Sequence, residues 1–173
     1  MIELIIVRHG ETIENTFGVC QGQTDGTLSE KGKEQNKLLA KELSTLKIHR
    51  IYSSPLRRAY ETAKEIHLFH DIELDARDNL SEWYLGDLQG KKFPPNFDIT
   101  KLPNDMENAD LVRKRLQKLL NEIKMNHDNE TVLFVSHGLT IKVLISILEK
   151  LPMNNVNKVN LMKNSDYKRF IIV

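Results

Sequence analysis

Two histidines each stand one residue after an apolar stretch of the sequence, and each is followed by glycine. His9 lies in the segment 8–12 (Arg-His-Gly-Glu-Thr) after the apolar residues 2–7, and His137 follows the apolar residues 131–135. Such short apolar runs are typical of buried strands. Since ligands of α/β sheets bind beyond the carboxyl ends of the strands, the pattern predicts one site assembled from both ends of the chain.

Phosphoryl transfer is the chemistry that these residue types fit. A phosphoryl group is bound by guanidinium groups and backbone N–H groups, and histidine can form a covalent intermediate with it. The leaving oxygen needs a proton, which a carboxylic acid can supply. The candidates for these roles are Arg8, His9, the segment 54–58 (Ser-Pro-Leu-Arg-Arg), Glu82 and His137.

The composition excludes several classes of protein. With 40% hydrophobic and 28% charged residues among 173, the chain has the composition of a globular domain. A net charge of +1 gives no basic field for nucleic acid, so we expect no nucleic-acid partner. Apolar stretches fall short of the roughly 20 residues that span a bilayer, so we expect no membrane partner. The single cysteine, Cys20, excludes an internal disulfide and a cysteine-rich metal cluster. With no signal-peptide pattern at residue 1, we expect a cytoplasmic location.

Alternating strand and helix patterns predict the elements that must position the site. The predicted strands are 2–7, 48–53, 72–74 and 131–135, with two closing strands at 156–162 and 169–173 around a turn at 164–166. The predicted helices are 30–46, 55–69, 105–125 and 139–150. Alternation of this kind implies an α/β fold, a three-layer sandwich whose mostly parallel, mixed central sheet is flanked by helices.

Particular residues refine this prediction. Ser29 and Ser54 are predicted as N-caps, with Pro55 in the first helical position. The side chains predicted to face the core are Leu38, Leu39, Leu43 and Leu46 in the first helix and Leu111, Leu116, Leu119, Leu120 and Ile123 in the third. Residues 13–28 are predicted as a loop.

The segment 81–105 is the least regular part of the sequence and is predicted to run over the surface as a short cap. Trp83 and Tyr84 are predicted as a wall of the pocket, with the core as the alternative. Phe93 and Phe97 are predicted in a lid or rim. Lys91 and Lys92 indicate either a second anionic subsite or a solvated turn.

The order and spacing of four motifs resemble those of the histidine phosphatase family, in the branch that contains cofactor-dependent phosphoglycerate mutase. The motifs are 8–12 with Asn15, 53–59 with 62–63, 80–82 with Gly86 and Gly90, and 135–138. Residues 27–32 and the pair Glu107 and Arg115 match less specifically. The resemblance covers almost the whole chain and implies one histidine phosphatase domain over 1–173, with its short cap at 81–105.

The resemblance implies a catalytic role for five residues. His9 would be the nucleophile that forms a phosphohistidine, and Glu82 would protonate the leaving group and then activate water. Arg8, Arg58 and His137 would hold the phosphoryl oxygens, with His137 as the imidazolium. The family has its ligand immediately before the alanine, which selects the second of the two adjacent arginines.

The resemblance also implies four substrate contacts, at Asn15, Gln21, Gly22 and the backbone N–H of Gly138. It implies a small phosphorylated metabolite as the partner and neither a metal nor an organic cofactor. The sequence makes no prediction of the oligomeric state.

The resemblance leaves two enzyme activities to distinguish. Mutases of the family continue after the glutamate with Arg-His-Tyr-Gly and a long basic insertion, whereas residues 82–86 here read Glu-Trp-Tyr-Leu-Gly and lead into a short segment. We therefore expect a phosphatase of small phosphorylated metabolites that acts on phosphomonoesters through a covalent phosphohistidine. Cofactor-dependent phosphoglycerate mutase is the alternative, and alpha-ribazole phosphatase is a narrower one. A non-catalytic derivative is disfavoured because all five catalytic residue types are present.

Overall fold

A five-stranded sheet forms the centre of the protein in the computed structural model, which describes residues 1–173. The strands are β1 (Ile2–Arg8), β2 (Arg50–Ser53), β3 (Leu74–Ala76), β4 (Thr131–Ser136) and β5 (Tyr167–Ile172). Their order is β3-β2-β4-β1-β5, in which β5 alone is antiparallel to its neighbour. The predicted mixed, mostly parallel sheet is confirmed.

Five α-helices accompany the sheet. They are α1 (Ile13–Thr16), α2 (Glu30–Leu43), α3 (Arg57–His67), α4 (Ala109–Asn126) and α5 (Gly138–Leu148). Short 3-10 helices follow β3 at Asp78–Leu80, lie at Gly86–Leu88, and follow α5 at Met153–Lys158. No helix combines the length and the apolar character that crossing a membrane requires.

The sheet separates two apolar clusters, which makes the fold a three-layer sandwich. In β1, Leu4 and Ile6 belong to the cluster that includes α4 and α5, whereas Ile5 and Val7 belong to the cluster that includes α2 and α3. Successive side chains of a strand point to opposite faces, so a strand that is covered on both faces is apolar throughout. This is why the apolar runs before the two site histidines have no polar alternation.

Two leucines that were predicted to face the core are exposed. Leu38 in α2 is 62% exposed and Leu111 in α4 is 53% exposed. Each precedes a buried residue, Leu39 or Val112, and neighbouring helical side chains point about 100° apart. The buried stripe is therefore narrower than the leucine content of these helices indicates.

The predicted closing hairpin is wrong. Residues 156–162 form no strand; their first part lies in the 3-10 helix Met153–Lys158, and Val156 and Met162 bury their side chains in the cluster beside α5. Only β5 joins the sheet, where it pairs directly with β1. The predicted turn is present, and Ser165 in it has a φ of 53°.

Helix α2 lies very close to the segment after β1, which begins with His9. Gly32 donates its N–H to the N-cap Ser29, as predicted. A Cβ atom at Gly32 would lie 2.0 Å from the carbonyl oxygen of Glu11, two residues after His9. The three nearest atoms are all backbone atoms of Glu11, so no flexible side chain can move to relieve the overlap.

We expect Gly32→Ala to lower the free energy of unfolding by about 1–3 kcal/mol because of this overlap. Helix propensity alone favours alanine by about 0.5–1 kcal/mol, so the two effects have opposite signs. The exposed residue Lys37 of the same helix provides the control, and Lys37→Ala should change stability by less than about 0.5 kcal/mol. Chemical denaturation measures both variants, and a stabilised Gly32→Ala protein would show that the contact is tolerated.

Candidate active site

A cavity of about 80 Å³ lies at the carboxyl ends of β1 and β4. His9 and His137 directly follow these strands, Arg58 lies in the first turn of α3 after β2, and Glu82 follows the 3-10 helix after β3. Eight predicted site residues line the cavity: Arg8, His9, Asn15, Gln21, Gly22, Arg58, Glu82 and Gly138. The ninth, His137, has its ring centroid 5.1 Å from that of His9. The structure therefore brings the whole predicted set together.

The ring of His9 is oriented by its own neighbour. Its Nδ1 lies 2.7 Å from the carbonyl oxygen of Gly10, which can only accept, so Nδ1 carries the proton and Nε2 keeps a free lone pair. Burial, followed by the charges of Arg58 and Arg8, lowers the pKa of His9 well below its ordinary value. The neutral form of the ring, with its lone pair on Nε2, is consequently favoured.

The C-terminal turn holds the backbone beside His9. The side-chain amide of Asn164 donates to the His9 carbonyl at 3.0 Å and to Oδ1 of Asn15 at 3.2 Å. The Ser165 N–H lies 3.0 Å from the Arg8 carbonyl oxygen and 3.2 Å from that of His9. The sequence indicated only a turn here, because no local signal shows that its side chains reach a segment more than 150 residues away.

Two buried guanidinium groups form the cationic side of the cavity. The terminal nitrogens of Arg58 donate to the carbonyls of Thr24 and Gly22, each at 2.7 Å, and Nη1 of Arg8 donates to that of Met162 at 2.5 Å. Burial lowers the pKa of both arginines, and Glu82 partly opposes this effect. Even so, a guanidinium group remains charged at neutral pH.

Three donors at the site have no partner within the protein. They are Nε of Arg8, Nε of Arg58 and Nδ1 of His137, all fully buried. A buried donor without an acceptor costs about 1–3 kcal/mol, and more when it is charged. Arg8 and Arg58 line the cavity and the ring of His137 lies beside that of His9, so a phosphoryl group is the kind of acceptor that this part of the site lacks. Oε1 of Gln21 is a fourth buried atom without a partner.

Ser54 orients His137 instead of capping α3, whose N-cap residue is Leu56. Its Oγ accepts from the Leu56 N–H at 3.2 Å and lies 2.7 Å from Nε2 of His137. If the hydroxyl donates its proton to Nε2, the proton of the neutral ring sits on Nδ1 and points away from Ser54.

The protein surroundings favour this neutral form of His137. Burial is the main cause that lowers its pKa well below the ordinary value, and the charge of Arg58 adds to it. The imidazolium that the resemblance implies is thus disfavoured by the protein groups themselves. The phosphoryl-binding role that the resemblance implies requires only an Nδ1–H donor, so it does not depend on the charge of the ring.

Glu82 accepts three hydrogen bonds from backbone N–H groups, two of them at the start of α5. Oε1 accepts from the Thr140 N–H at 2.9 Å and from the Trp83 N–H at 3.1 Å, and it lies 2.9 Å from the Thr140 hydroxyl oxygen. Oε2 accepts from the Leu139 N–H at 3.1 Å. The free N–H groups of a helix N-terminus are complementary to a carboxylate. Thr140 is a site residue that the motifs did not indicate.

The remaining wall of the cavity is apolar. It consists of Val19, Leu85, Phe93, Leu139 and Leu161. Phe93 also packs against Phe97 with ring centroids 4.9 Å apart, as expected of a rim.

The structure contradicts one prediction for the cap region and favours one of the two alternatives in another. Trp83 is fully buried in the core and Tyr84 is 47% exposed, and neither lines the cavity, so the predicted pocket wall is wrong. Lys91 and Lys92 are exposed outside the lining, which favours the solvated turn. No group of three metal-ligating side chains lies close enough together to hold an ion.

Comparisons with known proteins identify the family of the chain. A relative, phosphoserine phosphatase 1 of Hydrogenobacter thermophilus, is 37% identical over 161 residues, which cover 86% of this chain and 76% of that protein. The structure of a mycobacterial glucosyl-3-phosphoglycerate phosphatase in complex with VO3 is similar, with a TM-score of 0.89 at 30% identity over 96% of this chain and 90% of that one.

A putative alpha-ribazole-5'-P phosphatase from Escherichia coli has a TM-score of 0.89 over 100% of this chain and 92% of that one. At 21% identity this likeness shows the fold alone. The family model described as the histidine phosphatase superfamily, branch 1, matches residues 4–171. The chain therefore belongs to branch 1 of the histidine phosphatase superfamily.

Proposed function

We propose that this phosphatase of small phosphorylated metabolites hydrolyses phosphomonoesters in two steps, through a phosphohistidine at His9. One observation carries the proposal: the free Nε2 of a neutral, buried His9 shares a cavity with buried donors that lack acceptors. The volume of about 80 Å³ is far below that of pockets that enclose a whole ligand, roughly 300–1,000 Å³. Only the phosphoryl group therefore enters fully, while the rest of the substrate stays at the apolar mouth.

In the first step, the lone pair of His9 Nε2 attacks phosphorus and the bond from phosphorus to the leaving oxygen breaks. That oxygen keeps the electron pair and takes a proton from the carboxyl group of Glu82. Arg8, Arg58 and His137 hold the phosphoryl oxygens.

In the second step, Glu82 takes a proton from water as the water oxygen attacks phosphorus. The Nε2–phosphorus bond breaks and its electron pair returns to His9, which is again neutral. Inorganic phosphate leaves, and Glu82 is protonated as it was before the first step. The hydrogen bond from Nδ1 to Gly10 persists in both steps and stabilises the ring when Nε2 carries phosphorus.

Hydrolysis is favoured over the mutase alternative by the absence of a second cationic clamp. Arg8 and Arg58 are the only arginines that line the cavity, and no lysine does. A mutase must retain a bisphosphorylated intermediate, which needs a second set of cations.

The names of two relatives supply the first substrates to test, phosphoserine and glucosyl-3-phosphoglycerate. We also propose that residues 1–173 act as one domain, with 81–105 as its cap. We propose a cytoplasmic location for it, because the unpaired thiol of Cys20 would be stable there.

We expect His9→Ala to lower turnover by about four orders of magnitude or more, because no other side chain replaces the nucleophile. The acid-labile phosphoenzyme formed from labelled substrate should disappear as well. His67→Gln, at the far end of α3, is the matched control and should keep both. A phosphoenzyme that survives in His9→Ala would place the nucleophile elsewhere.

With 3-phosphoglycerate and 2,3-bisphosphoglycerate, we expect release of inorganic phosphate without isomerisation at a comparable rate. The physical reason is the single cationic site, which cannot hold the bisphosphorylated species for reorientation. Phosphate release and the ratio of the two monophosphoglycerates are measured in the same samples. Efficient isomerisation would favour the mutase.

Buried neutral histidines should make stability depend on pH. The pKa values of His9 and His137 are lowered in the folded protein, so below about pH 6.5 the unfolded chain binds more protons than the folded one. The contribution of the two histidines to the free energy of unfolding is thus fully present above about pH 6.5 and is lost as the pH falls below it. We expect the double variant His9→Gln, His137→Gln to lose less thermal stability than the wild type between about pH 7.5 and 5.5. Equal losses would contradict the neutral state of the two rings.

A further inference from the structure

The segment that carries Glu82 is held by donors from other parts of the chain. Residues 81–85 have no regular secondary structure, yet most carbonyls around Glu82 are bound. The donors are Arg115 Nη1 to Asn79 at 2.5 Å, Ser136 Oγ to Leu80 at 2.6 Å, Thr140 Oγ1 to Ser81 at 2.8 Å, Gln23 Nε2 to Glu82 at 3.1 Å and the Glu107 N–H to Tyr84 at 2.8 Å. The position of Glu82 is therefore set by tertiary contacts.

One ion pair reaches both ends of this segment. Arg115 in α4 binds Glu107 through two parallel hydrogen bonds, Nε to Oε1 at 2.8 Å and Nη2 to Oε2 at 3.1 Å. Their side chains are only 17% and 15% exposed. A two-point guanidinium–carboxylate contact fixes direction as well as distance.

Before Glu82, Arg115 binds the Asn79 carbonyl, and the Asn79 side-chain amide donates back to the Arg115 carbonyl at 2.8 Å. After Glu82, the Glu107 N–H binds the Tyr84 carbonyl, and Oε2 of Glu107 accepts from the Tyr84 N–H at 3.3 Å. The pair thus spans the residues three before and two after Glu82. Neither member lines the cavity.

We propose that the pair Glu107–Arg115 positions Glu82 for proton transfer to the leaving oxygen. The inference rests on the proposed acid role of Glu82. Thr140 and Leu139 hold the carboxylate itself, whereas the ion pair holds the backbone from which the side chain extends. Proton transfer requires an approach within hydrogen-bond distance, so a small displacement of this backbone affects that step most.

The dependence on the leaving group separates a positioning role from a merely structural one. An alkyl phosphate expels a strongly basic oxygen that must be protonated, whereas 4-nitrophenyl phosphate expels a weakly basic phenolate. We expect Glu107→Gln to lower kcat/KM for the alkyl phosphate about 10- to 100-fold, with a much smaller change for 4-nitrophenyl phosphate. The ratio kcat/KM is compared because it reports the first step and excludes the attack of water, which Glu82 serves for both substrates. Equal losses on both substrates would overturn the inference.

The chain offers a matched control in a second ion pair, Arg77–Glu122, at 3.0 Å. It joins the same part of the chain to the same helix but does not reach past Glu82. Glu122→Gln should affect both substrates equally or not at all. A leaving-group effect as large as that of Glu107→Gln would show that any disturbance of α4 suffices, and this too would overturn the inference.

Glu82→Gln supplies the reference for the full loss of the acid. If it does not distinguish the two leaving groups, the acid role in the proposed function fails; if it does and Glu107→Gln does not, the positioning inference alone fails. The double variant Glu82→Gln, Glu107→Gln should show no larger leaving-group effect than Glu82→Gln alone, because both changes act on one proton transfer. If Glu107→Gln does not fold, Arg115→Lys keeps the charge, loses the two-point contact and is measured in the same way.

Discussion

Burial of two guanidinium groups beside each other is the constraint on which the site depends. Arg8 and Arg58 lose most of their hydration, and Glu82 is the only carboxylate that lines the same cavity. Carbonyl groups of loops replace part of the lost water, which ties the loops to the arginines. Burial, and after it the charge of these arginines, lowers the pKa of His9 and His137 and so favours their neutral forms. In the proposed function, one arrangement therefore binds the anion and favours the neutral nucleophile, and the same arginines hold the surrounding loops.

The strands and the irregular segments position different groups of the site. Parallel strands place His9 and His137 side by side, because β1 and β4 are neighbours in register and Arg8 is paired with Ser136. The segments around Gly22 and Glu82 have no such ladder, so the side chains of Arg58 and Gln23 hold their carbonyl groups. The turn at Asn164 instead uses its own side-chain amide to hold the carbonyl of His9. Loops supply groups that strands cannot place, at the cost of many specific contacts.

The sequence predicted best where a local pattern and the geometry of the sheet coincide. Apolar runs that end in histidine predicted two strands and one shared site, since the carboxyl ends of parallel strands meet at one edge. It predicted poorly where a partner lies far along the chain. Ser54 has the local signature of an N-cap, but His137, 83 residues later, offers its hydroxyl a buried partner. Trp83 follows Glu82 directly, yet its side chain turns away into the core.

The cavity divides recognition between charge and shape, and this division explains how one family holds several phosphatases. In the proposed function, Arg8, Arg58 and His137 present donors that fit any phosphoryl group and carry no information about the rest of the substrate. Another part of the wall consists of apolar side chains from separate segments, among them Val19, Phe93 and Leu161. Changes in this apolar wall alter the shape available to the leaving group without removing a charge from the cavity. Substrate choice can therefore vary while the phosphoryl chemistry stays the same.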